Sequence, residues 1–510
     1  MKGGRPLSVP LILSLTILLL GCAVHTPDYC CQRDSNAYWD IEELYGCAQS
    51  PDHPLTLTEI MQIALCNNLD VRLQELELAV QCETVKSEKM RQLGQLNARG
   101  ELTTRDRNTG SSSDSLTNRP PAPPSISSEK DHGTFEIRYV FDLLDFGLSY
   151  YSARQQTNKY LQIQQRHLRA RQNLVLDVYR AFYRAHVAKR AMERSADLLV
   201  TLRDRQQQVQ RQVEERTVSQ MRGLLQEDRI VDIEIKLYAF ENEYRSALAE
   251  LQALMGMPLS CSLELANLDV QGWELPHVEI CELEWEALSH RPELLGQDMQ
   301  VCIDVDEIRR SILDMYPNVA LFGGYNYDDN KYLVYSNWLA AGMRATHDLL
   351  SIPSKMRNVA KNRYQYFLDK KTRLSMSLGI LTQVHLAYIN VQETKQQLQL
   401  ATEWDSVKQR MFKLSEAYEE SGEYDDDDVM DYEIEALFAD LNALKAYANH
   451  QVALEQLSNA IGRPLQFTPE DLGCQMWDIR QQCDASLYDW CGNACPGFCE
   501  MSLAHEKLSH

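Results

Sequence analysis

The sequence lacks a long uninterrupted apolar segment beyond its N-terminal leader. A transmembrane helix needs about 20 consecutive, predominantly apolar residues, and no such uninterrupted run follows residue 22 in this 510-residue chain. We therefore expect no membrane-spanning helix in the mature protein. If the chain crosses a membrane, it must use β-strands of a closed barrel, because only that alternative satisfies the backbone hydrogen bonds in lipid.

Basic residues are outnumbered by acidic ones, and the common catalytic motifs are missing from the sequence. Lys and Arg number 51 against 73 Asp and Glu, and the resulting net charge of −22 argues against nucleic-acid binding. The sequence contains no phosphate loop, no His-Glu-x-x-His element, no nucleophile elbow and no dinucleotide fingerprint. His385 and His450 each stand alone in a predicted helix and are interpreted as packing or surface residues. We expect neither enzymatic activity nor a cofactor.

The N-terminus predicts export. Lys2 and Arg5 precede a short apolar stretch at 7–20, which is followed by Leu-Leu-Gly and Cys22. This pattern resembles a bacterial lipoprotein signal, with residues 1–21 removed and Cys22 acylated as the first mature residue. The resemblance also implies sorting to the outer membrane, since Ala23 rather than Asp follows the cysteine. An ordinary signal peptide or an uncleaved anchor is the alternative.

Thirteen cysteines remain after Cys22, and an oxidising compartment favours disulfides among them. They concentrate in an N-terminal extension, 22–54, and in a C-terminal tail, 467–510. We expect bridges within or between these segments, with the connectivity open. A metal site is the alternative in the tail, but Gly and Pro between its cysteines and the absence of a zinc-type Cys-x-x-Cys pair argue against it. The cysteines concerned are Cys30, Cys31, Cys47, Cys474, Cys483, Cys491, Cys495 and Cys499.

Four short patterns occur twice, which indicates an internal duplication. Asp142-Leu143-Leu144 recurs at Asp348-Leu349-Leu350, and Gly256 recurs at Gly462, both at a shift of 206 residues. Another pattern, nearer the N-terminus, recurs at a longer shift of 223 residues. The first copy therefore carries 17 extra residues, which we place in a surface loop at 108–130. The predicted repeats cover 55–260 and 283–466, with a connector at 261–282.

Each repeat predicts two very long helices. Runs without Gly or Pro extend over 148–222 and 354–418, each followed by a second such run. Roughly 75 residues of helix would span on the order of 110 Å, far more than a globular domain needs. Shorter opening helices are predicted at 58–92 and 283–315. This organisation predicts a coiled-coil or long helical bundle.

Between the opening helix and the long helix, each repeat predicts two strands. Apolar and polar residues alternate near 97–107 and 134–142, and more weakly near 318–328 and 335–346. Four strands cannot close a barrel, whereas three chains would supply twelve. The predicted fold class is therefore mainly α with a small β part: a long helical coiled-coil barrel joined to a transmembrane β-barrel that trimerisation completes.

These motifs, in this order and duplicated, resemble the TolC-type outer-membrane efflux protein family over about residues 55 to 470. The resemblance implies a homotrimeric exit duct for a tripartite efflux pump or type I secretion system. Its implied partners are a periplasmic adaptor protein, an inner-membrane transporter and outer-membrane lipid, with the transported substrate open. A non-channel coiled-coil lipoprotein with a structural or adhesive role is the alternative. The matching segments are 55–70, 141–147, 254–259, 287–294 and 460–465.

The turn of the second repeat resembles the family's periplasmic entrance. Gly422 precedes an acidic run in which Asp428 and Asp431 match the aspartates that form constricting rings in the family. Three-fold symmetry would turn each into a cation-favouring ring. Asp425, Asp426 and Asp427 are interpreted as a solvated acidic turn. We expect Arg216 or Arg222, at the tip of the first repeat, to contact this acidic cluster in a closed state.

Overall fold

The computed structural model describes residues 29–45, 51, 53–112, 123–217, 219–259, 261–266, 279–421, 423–424 and 426–464. Cys22, Gly422, Asp425, the predicted signal peptide and the predicted Cys-rich tail lie outside the described residues. The middle of the connector, 267–278, also lies outside them.

Helices dominate the described chain, and two of them are exceptionally long. Helix α4 has 72 residues and α8 has 69, so each extends for about 100 Å. The chain then reverses its direction, so that α5 packs along α4 and α9 packs along α8. The helices are α1 Tyr29–Tyr45, α2 Leu57–Asn67, α3 Leu69–Met90, α4 Leu143–Glu214, α5 Gln220–Leu254, α6 Ile280–His290, α7 Pro292–Leu313, α8 Ile352–Glu420 and α9 Asp426–Ile461.

Each opening helix, predicted as continuous, is broken in two. The Asn68 side-chain oxygen accepts hydrogen bonds from the amides of Asp70 and Val71, at 3.0 and 3.3 Å, and so begins α3. In the second repeat Pro292 occupies the start of α7, where its missing amide hydrogen costs no helical bond. The Asn and Pro sites are thus helix starts rather than interruptions of one helix.

The main sheet of the described residues has four antiparallel strands in the order β1-β4-β5-β6. A small β2–β3 hairpin occupies part of the stretch predicted as a surface loop. The strands are β1 Gln95–Thr104, β2 Thr109–Ser111, β3 Ser125–Ser128, β4 Asp131–Asp142, β5 Asn318–Asp328 and β6 Asn337–Thr346. Two strands therefore come from each half, as the alternating patterns predict.

The element boundaries repeat at the two shifts found in the sequence. Helices α2 and α6, helices α3 and α7, and strands β1 and β5 begin at positions related by the longer shift. Gly256 and Gly462, which the shorter shift relates, both end a helix with positive φ, +63° and +80°. The inserted residues consequently lie between β1 and β4, where the β2–β3 hairpin is found.

Each half has its own apolar core where a short helix packs against a long antiparallel pair. In the first half, residues such as Ile60, Val178 and Leu251 join α2, α4 and α5. In the second, Leu283 and Val384 contribute to the corresponding core of α6, α8 and α9. A third cluster near the helical tip brings α4, α5 and α9 together. The two halves therefore fold as one body along α4 and α9.

Among the described residues, one helix contains a segment that by length and composition could cross a membrane. It lies in 349–419, and only 22% of its apolar window is buried within the chain. The expectation of no such helix was based on uninterrupted apolar runs, whereas this window includes scattered polar residues such as Gln383 and Asn390. Its exposed apolar residues lie on one face of α8, which indicates a packing surface.

Candidate channel wall and periplasmic tip

One face of the main sheet is apolar on all four strands. The antiparallel register places Tyr139 beside Leu96 and places Ile137 beside Tyr325, so the odd positions of β4 share a face with apolar residues of its neighbours. Leu102 and Leu339 on this face are 92% and 83% exposed. Soluble sheets normally bury such a face. The apolar face comprises Leu96, Ala98, Leu102, Phe135, Ile137, Tyr139, Phe141, Leu321, Tyr325, Tyr327, Leu339 and Met343.

The opposite face of the sheet carries charge. Arg138 pairs with Glu136 along β4 and lies over the ring of Phe322, 5.6 Å from its centroid. On β1, Arg99 contacts Glu101 at 2.8 Å. Such a sheet, with one apolar and one charged face, suits a wall between lipid and water.

The sheet remains open at both sides. β1 and β6 are its edge strands, so within the described residues each presents one row of unpaired backbone groups. An open edge beside an exposed apolar face would be a site of aggregation in a monomer. Pairing with further copies of the chain would satisfy both edges.

Helix α8 displays a long exposed apolar stripe. Val384 and Ile380 face the core of the second half, whereas Leu378 and Leu386 are 67% and 62% exposed on the other side. The exposed residues recur at intervals that keep them on one helical face. We define the α8 stripe as Tyr364, Phe367, Leu368, Leu374, Leu378, Leu386, Ile389, Leu400, Trp404, Val407 and Leu414.

At the helical tip, an ion pair joins the two repeats. Arg229 of α5 donates from Nη1 to Oδ2 of Asp431 at 2.7 Å, and both side chains are partly exposed. The sequence instead predicts Arg216 or Arg222 in this role. Arg216 lies in the turn after α4 with φ of 59°, and the amide of Arg222 bonds to the Ser219 side chain that caps α5.

Aromatic residues surround the acidic turn. Tyr424 stacks on Tyr432 with ring centroids 5.9 Å apart, and it meets Tyr418 at 5.3 Å. The hydrogen bond with Tyr432, together with the charge of Asp428, raises the pKa of Tyr424. Asp428 is exposed one turn before Asp431 on α9. Asp426 and Asp427 lie on the first turn of that helix, whereas Gly422 and Asp425 lie outside the described residues.

Two cysteines outside the predicted clusters form disulfide bonds. Cys66 at the end of α2 and Cys82 on α3 are both disulfide-bonded, whereas Cys261 and Cys281 are free thiols. No local pattern signals this choice, since both bonded residues lie within helical segments. The part of the chain that the structure describes contains no group of three His, Cys, Asp or Glu residues able to hold a metal.

Several solved outer-membrane channels share this architecture. The Campylobacter jejuni CmeC outer membrane channel aligns with a TM-score of 0.66 at 11% identity, over 84% of this chain and 88% of CmeC. The Neisseria gonorrhoeae MtrE outer membrane channel, solved in its open state, gives 0.64 at 17%, over 80% and 88%. CusC, studied for folding and transmembrane channel formation, gives 0.63 at 16%, over 81% and 98%.

No protein-family model and no curated protein sequence matches the chain. The structural likeness nevertheless extends over most of the chain and over most of each channel. The chain therefore has the fold of these outer-membrane channels, mainly α with two internal repeats and a small sheet. At the level of the fold, this confirms the resemblance to the TolC-type family.

Proposed function

We propose that the protein is an outer-membrane exit channel that works as a homotrimer. Three chains pair the β1 and β6 edges into a twelve-stranded barrel and pack their long helices into a periplasmic tunnel. The apolar sheet face contacts lipid, and the charged face lines the water-filled passage. The observation that carries this proposal is the single apolar face that runs across all four strands.

The α8 stripe supports trimerisation independently of the sheet. It lies on a helix whose other face is already buried, and no other described segment of the chain covers it along its length, so we assign it to contact with another chain. The alternative, a non-channel coiled-coil lipoprotein, would also need a helical interface. It would not need a sheet with an exposed apolar face and two open edges.

The channel would serve a tripartite efflux pump or type I secretion system. In that arrangement the helical tip docks on a periplasmic adaptor, and an inner-membrane transporter supplies the energy. Asp428 and Asp431 would form acidic rings at the periplasmic gate, with Arg229 neutralising part of the Asp431 ring in the present state. Arg216 and Arg222 remain proposed tip contacts. Acylated Cys22 would anchor each chain in the outer membrane.

Molecular mass and conductance test the proposal. Full-length protein extracted from outer membranes in mild detergent should have the mass of a trimer and should conduct in planar bilayers. Leu378→Glu places charge in the centre of the α8 stripe and should yield monomers without conductance. Gln399→Glu, an exposed site on the same helix beside the stripe, is the matched control and should leave the trimer intact. A wild-type monomer that does not conduct would refute the channel assignment.

A further inference from the structure

Two cavities lie where the sheet joins the helices. The first, of about 300 Å³, is lined by the end of α3, the start of β1, the end of β4 and the first turns of α4. The second, of about 360 Å³, is lined by the residues before β5, the end of β6 and the first turns of α8. Their polar lining includes Gln92 and Asp142 in the first cavity, and Asn318 and Lys355 in the second.

The two cavities correspond under the internal duplication. The shorter shift relates Asp142 in the first cavity to Asp348 in the second, and it also relates Ser149 to Lys355. The longer shift, which relates β1 to β5, superimposes Gln95 on Asn318. The cavities are therefore a repeated feature of the fold at its strand-to-helix junction, and a trimer would carry six.

Both cavities contain buried polar atoms that lack a hydrogen-bond partner among the described residues. In the first, these are the donor Nε2 of Gln92 and the acceptor Oδ1 of Asp142. In the second, the acceptor Oδ1 of Asn318 likewise lacks a hydrogen-bond partner among the described residues. Asp142 is the N-cap residue of α4, yet its side chain makes no capping bond. Because an unpaired buried polar group is costly, these atoms indicate a polar ligand that donates hydrogen bonds in both cavities and also accepts one in the first.

Each cavity is lined by both basic and acidic side chains. Arg91 and Arg310 line the first cavity together with Glu88 and Asp142. Arg91 is paired with Glu88 at 3.1 Å, so the lining is not uniformly positive. Lys355 lines the second cavity beside Asp348, and it forms an ion pair with Asp314 at 3.2 Å. A simple anion would face these carboxylates, and a simple cation would face the basic groups.

We propose that the paired cavities bind the headgroups of ethanolamine phospholipids at the periplasmic boundary of the membrane. In the first cavity, the ammonium would donate to the free acceptor of Asp142, and the phosphate would accept from Gln92 and Arg91. In the second cavity, the ammonium would donate to the free acceptor of Asn318, and the phosphate would accept from Lys355. This inference rests on the proposed channel function, which sets the sheet in lipid and its helical end at the membrane surface. The aromatic pair Phe141 and Phe146, 5.7 Å apart, lines the first cavity and suits that boundary.

Lipid retention by the purified trimer tests the proposal. Native mass spectrometry compares the trimer after exchange into micelles that contain dioleoyl-phosphatidylethanolamine, -phosphatidylcholine or -phosphatidylglycerol. We expect the ethanolamine lipid to be retained about tenfold more strongly than the choline lipid, because only its ammonium donates hydrogen bonds. Soluble glycerophosphoethanolamine should compete weakly, since the lipid chains hold the headgroup at the site. Equal competition by this soluble compound would refute a lipid ligand.

Two variants separate the contacts. Asp142→Asn should reduce discrimination between ethanolamine and choline lipids, and Gln92→Leu should weaken the retention of both. Asp106→Asn, two residues beyond the far end of β1 and with a side chain 91% exposed, is the matched control and should change neither. Equal retention of all three lipids by a conducting trimer, or unchanged selectivity in Asp142→Asn, would overturn this inference but not the channel. A monomeric, non-conducting protein would instead overturn the proposed function.

Discussion

A buried carboxyl group on α7, which faces a half-buried one on α8, makes the stability of the fold depend on pH. Asp304 is 5% exposed, and its Oδ1 accepts from Gln300 at 3.3 Å, while its Oδ2 has no hydrogen-bond donor among the described residues. The side chain of Asp369, held by Gln365 at 2.9 Å, faces it from α8. Burial, the hydrogen bond with Asp369 and the charges of Asp369 and Glu307 raise the pKa of Asp304 to about 7.

The direction of the effect follows from proton linkage. The folded state holds the Asp304 proton more tightly than the unfolded chain, whose pKa is close to the ordinary value of 3.8. The contribution of Asp304 to stability is therefore lost as the pH rises from about 4 to about 7, and this contribution does not change further above that range. The full pKa difference corresponds to about 4 kcal/mol, and partial solvation of the site reduces this to about 2 kcal/mol. For a chain of this length, that is a melting shift of about 2 °C.

Asp304→Asn should remove this contribution, since the amide can donate to Asp369 at any pH. Thermal unfolding of the detergent-solubilised protein, followed by tryptophan fluorescence at pH 4.5, 6 and 8, measures the difference between variant and wild type. We expect the variant to melt about 2 °C higher at pH 8 and near the wild-type temperature at pH 4.5. Asp204→Asn, at an exposed position of α4, is the control. A variant destabilised equally at all three pH values would refute the interpretation that folded Asp304 keeps its proton up to a pH of about 7.

Three other predictions concern separate parts of the molecule. Glu293→Gln should destabilise the fold by about 3 kcal/mol, which a lower melting temperature would show. The reason is that Arg169, 2.7 Å from Glu293, and the buried Arg291 both lose the carboxylate that they share. Gly462→Ala should cost roughly 1–2 kcal/mol at a φ of +80°, whereas Gly379→Ala, inside α8 with open space around the new methyl group, should stabilise by about 0.5–1 kcal/mol in the same measurement. Arg229→Ala should increase cation selectivity in planar bilayers by exposing the Asp431 charge, and Arg245→Ala, which removes an i,i+4 pair elsewhere on α5, should not. If Arg229→Ala left the cation selectivity unchanged, the ion pair between Arg229 and Asp431 would have no part in the gate.

Much of the fold is encoded in local patterns that a single sequence displays. The long helices follow from runs without Gly or Pro, and the two Gly residues with positive φ end the helices at the repeat spacing. The strand pair at 318–328 and 337–346 is predictable although its alternation is weak, because the repeat requires two strands there. The β2–β3 hairpin cannot be predicted from the sequence, because its Ser- and Gly-rich strands have no apolar face. They depend instead on contacts with the β5–β6 hairpin. Asn330, for example, donates to Ser127 at 3.0 Å.

The tip is less predictable than the fold, for a geometric reason. The acidic run identifies candidate carboxylates by their order along the chain, whereas their cationic partner depends on how α5 and α9 are aligned. Arg229 lies more than two turns inside α5, and Asp431 lies little more than one turn inside α9. An offset of one helical turn between neighbouring helices moves such a contact by about 5.4 Å. The composition of the tip therefore cannot distinguish Arg229 from Arg222.

The exposed apolar surface links the stability of the chain to its assembly. At about 1.5 kcal/mol for each large apolar side chain, complete burial of the eleven residues of the α8 stripe would contribute on the order of 15 kcal/mol. That gross contribution is comparable to the whole stability of an ordinary folded domain, about 5–15 kcal/mol. Each half has a core of its own, so a chain can fold locally while both sheet edges and this stripe stay exposed. Subunit association should then provide much of the final stability, which would depend on protein concentration. The duplicated sequence thus specifies a chain that leaves its most extensive apolar surfaces exposed, and the proposed channel would cover them with lipid and with other copies of the chain.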